Sequence, residues 1–585
     1  MLRVLVTTLI IAVVGLACSA PPSLIEPASE APDGVPSPEP RPAGTQAATA
    51  QEAGPTCWLE SSLRRVYPTT ASKPDATLEI LAARNERLAF QVCVRNELTK
   101  PVHAEISVKG PDELRILVRR VGYVPMPHHT TDTEASELEG VGHIPGFVPD
   151  PHLPEQAVVA GPLETHAFWV TVTVPKDVKP GVRDLAVTVL TDKKIRTDLT
   201  ARVDVRELVI QPRRDFPATH WFYADSLCDW YKVQPFEEKF WQILEPYIRN
   251  SVEHGLNVQH TPLFTPPTDG VKRPVQLVRV TTPSEGKYEF DFTDVKRWTD
   301  LATRCGMEYF EWSHFFTQWG VQNAIRVYRS NQDPSSLLWP PETGATSDMY
   351  RNFLAQFLPE FHKFLVDEKL LERSFFHVSD EPHGDAHLEN YRKARAMLKE
   401  LAPWMKVMDA ISDVRFAQQG LTDMPIAGLA AARDFTQADV PAWVYFCCGP
   451  RGRYLNRFLD TPLVKIRMSG WLFYALKARG FLHWGHNYWY KFQTQQLIDP
   501  FVETCGLNWP GLSYGDTMVV YPGKEGPIDS IRWEQFGQSF QDYALLQSAG
   551  VKPDDLLLAG IKGYDDFPKT EEWLAAARKK ILLAQ

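Results

Sequence analysis

The feature that most constrains the fold of this 585-residue chain is a change in sequence pattern at Pro217. Before it, from about Cys57 to Pro212, short runs alternate apolar and polar residues and are separated by turn residues. After it, short apolar runs alternate with amphipathic stretches of helical period. Period-two alternation is typical of antiparallel sheets, whereas strand–helix alternation indicates a parallel sheet with helical crossovers. The sequence therefore predicts two kinds of folding unit in one chain.

The first pattern predicts a β-sandwich. Residues 88–94, 104–108 and 168–174 alternate with a period of two, and residues 185–189 and 201–205 continue the alternation. Helical stretches are nearly absent from this part. Several short, evenly spaced strands with turn residues between them are typical of two packed antiparallel sheets.

The second pattern predicts a (β/α)8 barrel. The strand candidates are residues 219–223, 258–263, 308–315, 375–379, 407–411, 426–429, 443–447 and 481–489. The helix candidates between them are residues 237–254, 294–305, 349–370, 388–401 and 463–478. Eight such units in about 300 residues suit a barrel, whose active site lies at the carboxyl ends of the strands. A doubly wound open sheet is the alternative.

The N-terminus predicts export. A short basic start and an apolar run over residues 4–16, too short to span a bilayer, lead to Ala17 and Cys18. This arrangement predicts a lipoprotein signal peptide, residues 1–18, and a lipid on Cys18 that holds the protein on the periplasmic or cell-surface side of a bacterial membrane. Plain secretion is the alternative.

The remaining boundaries follow from composition and pattern. Residues 19–55 are rich in Pro, Ala, Ser and Glu and are predicted to form a disordered linker, because they contain few large apolar side chains. The predicted sandwich spans 56–212 and the catalytic barrel 213–510. Residues 511–585, with helices over 528–547 and from Glu571, are predicted to pack on the barrel.

Charge and cysteine content exclude several partners. A net charge of −10 without a basic cluster gives no reason to expect nucleic acid. Seven cysteines remain besides Cys18, without the spacing of a metal site, so neither a metal nor an organic cofactor is predicted. Cys57 and Cys93 are the first candidates for a disulfide, and buried free thiols are the alternative. The sequence makes no prediction of oligomeric state.

Two consecutive acids, Asp380 and Glu381, follow the fourth barrel strand. Neighbours in a regular strand point to opposite faces, so both can serve one site only if the strand ends there. Pro382 disfavours helical angles at Glu381 and is expected to hold it extended. Close carboxylates can raise one pKa, which suits a general acid. The alternative is that the pair caps the following helix and faces water.

Aromatic and polar residues at the other strand ends suit a sugar pocket. The predicted contacts are Trp221, Trp312, Tyr445, Asn487, Trp489 and Tyr521. Asn487 and Tyr521 are included because polar groups at a strand end need a partner. The alternative for the aromatic residues is ordinary core packing. His314 and His377 are predicted to be structural histidines whose ring nitrogens are paired.

An ordered set of motifs resembles glycoside hydrolase family 123 and its broader relatives. The set comprises the preceding sandwich, Asp380–Glu381 after strand four, the stretch 484–489, Gly515–Asp516 and the stretch 520–523. The likeness covers about residues 57–547. Relatives often read Gly-Asp-Gly where this chain has Thr517 after Asp516. The resemblance implies an exo-acting β-N-acetylgalactosaminidase that retains configuration through the substrate's own acetamido group, with Asp516 as a further sugar contact.

The implied mechanism explains why two adjacent acids suffice. Asp380 would orient the acetamido N–H and stabilise the positive charge of the oxazolinium intermediate, while Glu381 would act as general acid and then base. Two alternatives remain open. One is a glycan-binding lipoprotein without turnover. The other is a conventional retaining glycosidase on another sugar, with Glu311 or Asp516 as nucleophile.

Overall fold

The computed structural model describes residues 54–266, 273–506 and 513–584. Its first part contains ten strands: β1 (Thr56–Ser61), β2 (Thr77–Arg84), β3 (Glu86–Arg95), β4 (Val102–Lys109), β5 (Arg115–Met126), β6 (Gly146–Leu153), β7 (Ala157–Ala160), β8 (Thr165–Val174), β9 (Gly181–Thr191) and β10 (Ile195–Val209). They form two five-stranded sheets, in the orders β1-β3-β8-β5-β6 and β2-β10-β9-β4-β7. The predicted β-sandwich is confirmed.

Alternation places the apolar residues of this part between its sheets. In β10, Ala201, Val203 and Val205 are buried, whereas Arg202 is exposed. The pairs within each sheet are antiparallel except for β2 with β10, which run parallel. Burial of one face of each strand explains why the period of two was visible in the sequence.

The predicted disulfide between Cys57 and Cys93 is absent, and both thiols are free. In the pairing of β1 with β3, Cys57 lies opposite Val94 and Cys93 lies opposite Trp58. The one-residue offset turns the two side chains to opposite faces of the sheet. Cys57 packs against the sandwich interior and Cys93 packs on the other face, so strand proximity alone was misleading.

The second part contains the barrel. Its elements are β11 (Ala218–His220), α1 (Ala224–Tyr231), α2 (Glu238–Glu253), β12 (Val258–Thr261), β13 (Arg279–Ser284), β14 (Lys287–Asp291), α3 (Thr293–Cys305), β15 (Tyr309–Trp312), α4 (Asp348–Asp367), β16 (Ser374–Phe376), α5 (Gly384–Leu401), β17 (Met408–Ala410), α6 (Arg415–Gln418), β18 (Met424–Gly428), α7 (Ala432–Gln437), β19 (Trp443–Tyr445), α8 (Leu463–Arg467), α9 (Ser469–Ala475), β20 (Phe481–His483), β21 (Val520–Pro522), β22 (Pro527–Asp529), α10 (Ile531–Ser548) and α11 (Glu571–Leu583).

Eight of these strands form one parallel sheet in the order β16-β15-β12-β11-β20-β19-β18-β17. A parallel bridge between Phe376 and Val407 joins its two edges and nearly closes the barrel. Each predicted barrel strand overlaps one observed strand, so the prediction of a barrel is confirmed. The hairpins β13–β14 and β21–β22 were not predicted, because they are short additions to connecting segments.

Helix α10 follows β20 in the chain and packs on the outer side of the barrel. Phe536 of α10 lies 5.2 Å from Phe481 of β20 between ring centroids. The same helix carries Glu534, which forms ion pairs with Arg87 and Arg119 of the sandwich. The C-terminal helices therefore join the barrel to the sandwich as well as covering it.

The predicted signal peptide and linker lie almost entirely outside the part of the chain that the structure describes. Cys18, the predicted site of lipid attachment, is among the residues outside it. Within the described ranges, no helix combines the length and the apolarity needed to cross a bilayer.

Candidate active site

Asp380 and Glu381 lie just beyond the carboxyl end of β16, where the chain turns sharply. Glu381 has a φ of 44°. Its backbone N–H donates to the carbonyl of Ala410 at 3.1 Å, and the carbonyl of Asp380 accepts from the N–H of Trp319 at 2.9 Å. The expectation that Pro382 would hold Glu381 extended is wrong, because the contacts with the end of β17 and with the loop after β15 hold it in a left-handed conformation. Such a conformation costs about 1–3 kcal/mol and is common at functional sites.

Neither acid projects into bulk solvent. Asp380 is 8% exposed, and no group in the described parts of the chain donates a hydrogen bond to its carboxylate. Glu381 is half-buried, and its Oε1 accepts a hydrogen bond from the hydroxyl of Tyr445 at 2.7 Å. Because Tyr445 ends β19, the acid after the fourth strand is held by a residue from the seventh.

Burial and the charge of Glu381 raise the pKa of Asp380 well above its ordinary value, and the positive charge of His377 opposes them. The sequence predicts a raised pKa in the pair, at the general acid. The structure shows the raised pKa at Asp380, because Asp380 is the more deeply buried of the two acids and has no donor.

A buried network lies beside the pair. Glu311 of β15 accepts hydrogen bonds from Thr219 at 2.5 Å, from the indole of Trp221 at 2.6 Å and from Nε2 of His377 at 2.7 Å. Nδ1 of His377 contacts Asp409 at 3.2 Å. His377 thus bridges two carboxylates from neighbouring strands, three residues before Asp380.

This bridge keeps His377 charged. Burial alone would lower its pKa, but the hydrogen bonds and charges of Asp409 and Glu311 raise the pKa of His377 to about 10. Asp409 also accepts from the backbone N–H of Ser379 at 3.1 Å, so the same carboxylate orients the segment that carries Asp380. The prediction that His377 is a paired histidine is confirmed, with a charge that the prediction did not include.

Four of the predicted contacts lie at or beyond the carboxyl ends of barrel strands, and three of them, Trp221, Asn487 and Asp516, are almost fully buried. Trp221 and Tyr445 belong to one aromatic cluster with Tyr223, Trp484, Tyr488 and Tyr490. Asn487 exchanges two hydrogen bonds of 2.9 Å with the backbone of Tyr223, which joins the segments after β11 and β20. Asp516 accepts from the indole of Trp484 at 2.9 Å, and burial raises the pKa of Asp516 to about 7.

Three other predicted contacts pack in the main hydrophobic core and not with the aromatic cluster of Trp221. Trp312, Trp489 and Tyr521 are fully buried, with polar atoms bonded to Ser374, to the carbonyl of Val520 and to Asp150, respectively. Trp312 faces outward because Glu311, its neighbour in β15, faces inward. None of the three exposes a surface to a sugar in this arrangement, so the geometry favours packing roles.

His314 differs from the expectation of a paired histidine. It is 2% exposed and lies against His377, with ring centroids 4.4 Å apart and ring planes inclined by 32°. Neither of its ring nitrogens has a hydrogen-bond partner within the described residues. One ligand atom each of His314, His377 and Asp409 lie within 4.8 Å of one another. A metal ion there would have to displace one of the two N–H protons of His377, each of which is directed at a carboxylate, and this disfavours binding.

Two residues beside the pair, Asp409 and Trp319, were not predicted from the sequence. Asp409 is a polar residue in a buried strand adjacent to β16, and that position could have identified it. Trp319 is 40% exposed, and its backbone N–H donates to the carbonyl of Asp380. It follows a strand end by several residues within a long loop, so no periodic pattern identified it.

Paired acids at the carboxyl ends of a (β/α)8 barrel, beside an aromatic mouth, define the class as a barrel glycosidase. The sequence profile described as "Glycoside hydrolase 123, catalytic domain" matches residues 221–549, more than half of the chain. The protein belongs to glycoside hydrolase family 123. The matched segment begins at Trp221, just after β11, and ends one residue beyond α10. No curated protein sequence matches significantly.

A solved structure supports the same fold. A family 123 glycoside hydrolase from Clostridium perfringens, described in a study of glycolipid glycan hydrolysis, superposes with a TM-score of 0.71 at 14% identity. The match covers 91% of this chain and 100% of that one. A xyloglucanase of family 5 from Bacteroides ovatus matches with a TM-score of 0.26 at 11% identity, over 73% of this chain and 96% of that chain. That second likeness is too low to carry an argument.

Proposed function

We propose that this glycosidase is a retaining exo-enzyme that removes a terminal β-linked 2-acetamido sugar of the N-acetylgalactosamine type by substrate-assisted catalysis. The observation that carries the proposal is the division of environments between the two adjacent acids. Asp380 is buried without a donor, whereas Glu381 is half-buried and held by Tyr445. Asp380 thus offers a carboxylate without a protein donor to a substrate N–H, and Glu381 has one oxygen held by Tyr445 and one available to the leaving group.

Asp380 suits the acetamido group. A buried carboxylate without a hydrogen-bond donor is costly, and a substrate N–H would satisfy it. Such a donor favours the ionised form of the carboxylate, as does the charge of His377. The ionised group would then align the acetamido oxygen for attack and stabilise the positive ring that forms.

Glu381 suits the leaving group. Tyr445 holds one of its carboxylate oxygens at 2.7 Å, which leaves the other oxygen for the glycosidic oxygen. In the first step Glu381 would donate its proton to the departing alcohol. In the second it would accept a proton from the water that opens the ring, which restores the starting state.

The surroundings of Glu311 and Asp516 argue against a conventional nucleophile. Glu311 is fully buried, and its two oxygens accept from Thr219, Trp221 and His377. Asp516 is 1% exposed and is bonded to Trp484. A nucleophile must approach the anomeric carbon. Glu311 could not do so without breaking these hydrogen bonds, and Asp516 is almost completely enclosed by protein.

The family 123 relative from Clostridium perfringens, described in a study of glycolipid glycan hydrolysis, supports a glycan as the kind of substrate. The terminal acetamido sugar is proposed from the arrangement of Asp380 and Glu381 and from the resemblance of the sequence motifs.

The first experiment is a panel of nitrophenyl β-glycosides of N-acetylgalactosamine, N-acetylglucosamine, galactose and glucose. Cleavage restricted to the acetamido sugars, together with inhibition by a thiazoline mimic of the cyclic intermediate, would support the proposal. Cleavage of galactose or glucose with trapping of a covalent enzyme by a fluorosugar would contradict it. Binding of acetamido sugars without cleavage would instead favour a glycan-binding protein.

The second experiment separates the two acids. Glu381→Gln should lower turnover of substrates with poor leaving groups by about 100-fold or more and spare activated ones, because only the former need the proton. Asp380→Asn should lower both by a similar factor, because it acts on ring formation. Asp385→Asn, an exposed carboxylate nearby, is the matched control and should change neither. Equal effects of Glu381→Gln on both leaving-group classes would refute its role.

We also propose export, with lipid attachment at Cys18. The supporting observation is the short apolar run that ends at Ala17-Cys18. The test is expression with radiolabelled palmitate and detergent partitioning. Wild type should incorporate label and enter the detergent phase, and Cys18→Ser should do neither. Equal labelling of the two proteins would exclude this anchor.

A further inference from the structure

Cys447 and Cys448 are adjacent in sequence, and their side chains lie on the same side of the chain. Their Sγ atoms are 3.8 Å apart. In an extended strand, consecutive side chains point to opposite faces, so this contact requires that the chain has turned. The turn is present: β19 ends at Tyr445, and the backbone N–H of Cys447 donates to the carbonyl of Gly449 at 2.9 Å.

The turn that holds the two thiols is fixed from outside. The side-chain amide of Asn456 donates to the carbonyls of Cys447 and Pro450 at 2.9 and 3.0 Å. The Nε of Arg451 donates to the carbonyl of Cys448 at 2.8 Å. Because each of these contacts holds backbone, the two sulfur atoms remain free to react. Both cysteines are half-buried, which leaves access for a small oxidant.

The pair lies beside the two acids described above. Tyr445, whose hydroxyl holds Glu381, is two residues before Cys447. The hydrogen bond to Cys448, burial and the nearby charges of Asp516 and Glu381 raise the pKa of Cys447 well above its ordinary value. Cys447 therefore keeps its proton at neutral pH.

We propose that Cys447 and Cys448 form a reversible vicinal disulfide at the mouth of the sugar site. The oxidant is a small-molecule disulfide such as oxidised glutathione. The Cys448 thiolate attacks one of its sulfur atoms and releases one glutathione thiolate. Cys447 then loses its proton and attacks Sγ of Cys448, which releases the second glutathione. The two protein thiols lose two protons and two electrons, and the glutathione disulfide is reduced to two thiols.

Ring closure changes the site because the sulfur atoms must approach from 3.8 Å to a bond length of about 2 Å. Since Asn456 and Arg451 hold the carbonyls, the movement falls on the segment that carries Tyr445. We expect the oxidised enzyme to show a kcat/KM about tenfold lower, because small displacements of catalytic groups have effects of this size. This effect on turnover rests on the proposed function, whereas formation of the disulfide does not.

The experiment measures the disulfide and the activity separately. The folded protein is equilibrated with graded mixtures of reduced and oxidised glutathione, quenched with N-ethylmaleimide and digested with trypsin. The peptide 434–451 contains these two cysteines and no others. Reduced protein should give this peptide with two labels. Oxidised protein should give it without label and lighter by two hydrogen atoms, and dithiothreitol should restore both labels and activity.

Two variants complete the test. Cys57→Ser removes another half-buried thiol, on the sandwich, and should leave the redox response unchanged. The double variant Cys447→Ser/Cys448→Ser should lose the redox response of kcat/KM. Two labels on the peptide at every glutathione ratio, or glutathione adducts in place of the disulfide, would overturn the proposal whatever the substrate proves to be. A response that persists in the double variant would overturn the link to activity.

Discussion

Replacing Glu311 by Gln tests whether the buried bridge keeps His377 charged. The substitution retains the shape of the side chain and removes one of the two negative charges that hold the imidazolium. Nε2 of His377 and the carboxylate of Glu311 are 2.7 Å apart, and both side chains are fully buried. Solvent therefore screens this interaction little.

The magnitude follows from the pKa of His377. A rise from 6.5 to about 10 corresponds to roughly 5 kcal/mol of preference for the charged form, at about 1.4 kcal/mol for each pH unit. Glu311 and Asp409 both stabilise the charged form of His377. Replacing Glu311 by Gln should therefore lower the free energy of unfolding by about 2 kcal/mol. Since the folded-state pKa is raised, this stability is fully present below about pH 6.5 and is lost as the pH rises through about 10.

The assay is urea unfolding of wild type and of Glu311→Gln at about pH 6 and about pH 10, with tryptophan fluorescence as the measure of the folded fraction. At the lower pH the variant should be less stable by about 2 kcal/mol. At the higher pH the difference should shrink, because His377 is losing its proton in wild type as well. Exposed Glu308→Gln, at the start of the same strand region, is the control and should show no such pH dependence.

The result that would refute this reasoning is a stability difference of equal size at both pH values. It would show that Glu311 contributes through packing and neutral hydrogen bonds and that His377 is uncharged. A variant more stable than wild type at the lower pH would refute it as well, because the desolvation cost of Glu311 would then exceed its attraction to His377.

Three further predictions concern single residues. Tyr445→Phe should lower kcat/KM on nitrophenyl substrates by about tenfold or more, because a hydrogen bond to a carboxylate contributes roughly 1.5–3 kcal/mol. An unchanged kcat/KM would show that Glu381 does not depend on the hydrogen bond from Tyr445. Asp516→Asn should raise the thermal unfolding midpoint, relative to wild type, more at about pH 8 than at about pH 5. The pKa of Asp516 is raised to about 7 in the folded protein, so wild type loses stability as the pH rises from the ordinary pKa of an aspartate to about 7. The variant has no such titrating group. Trp319→Ala should raise KM for an oligosaccharide more than for a nitrophenyl monosaccharide. Its side chain is 40% exposed and its backbone N–H binds the carbonyl of Asp380, so we expect the ring to contact the sugar on the leaving-group side. Equal changes in the two KM values would exclude that contact.

Local pattern determined the architecture of this protein. A strand buried on both faces or a helix with one apolar face depends on residues a few positions apart, so the eight barrel strands and the sandwich were readable from periodicity. The same reasoning located Asp380 and Glu381, because a (β/α)8 barrel brings the carboxyl ends of its strands to one rim.

Tertiary structure decided how the rim is assembled. Glu311 and Asp409 lie 66 and 32 residues from His377, and no local pattern relates them. The left-handed turn at Glu381 depends on hydrogen bonds with Ala410 of β17 and with Trp319 in the loop after β15. The outward direction of Trp312 depends on which face of β15 forms the barrel interior. The sequence by itself determined which elements form and which acids end the fourth strand. Only the closed barrel determined which side chains meet, because contacts between distant residues are selected by packing of the whole chain.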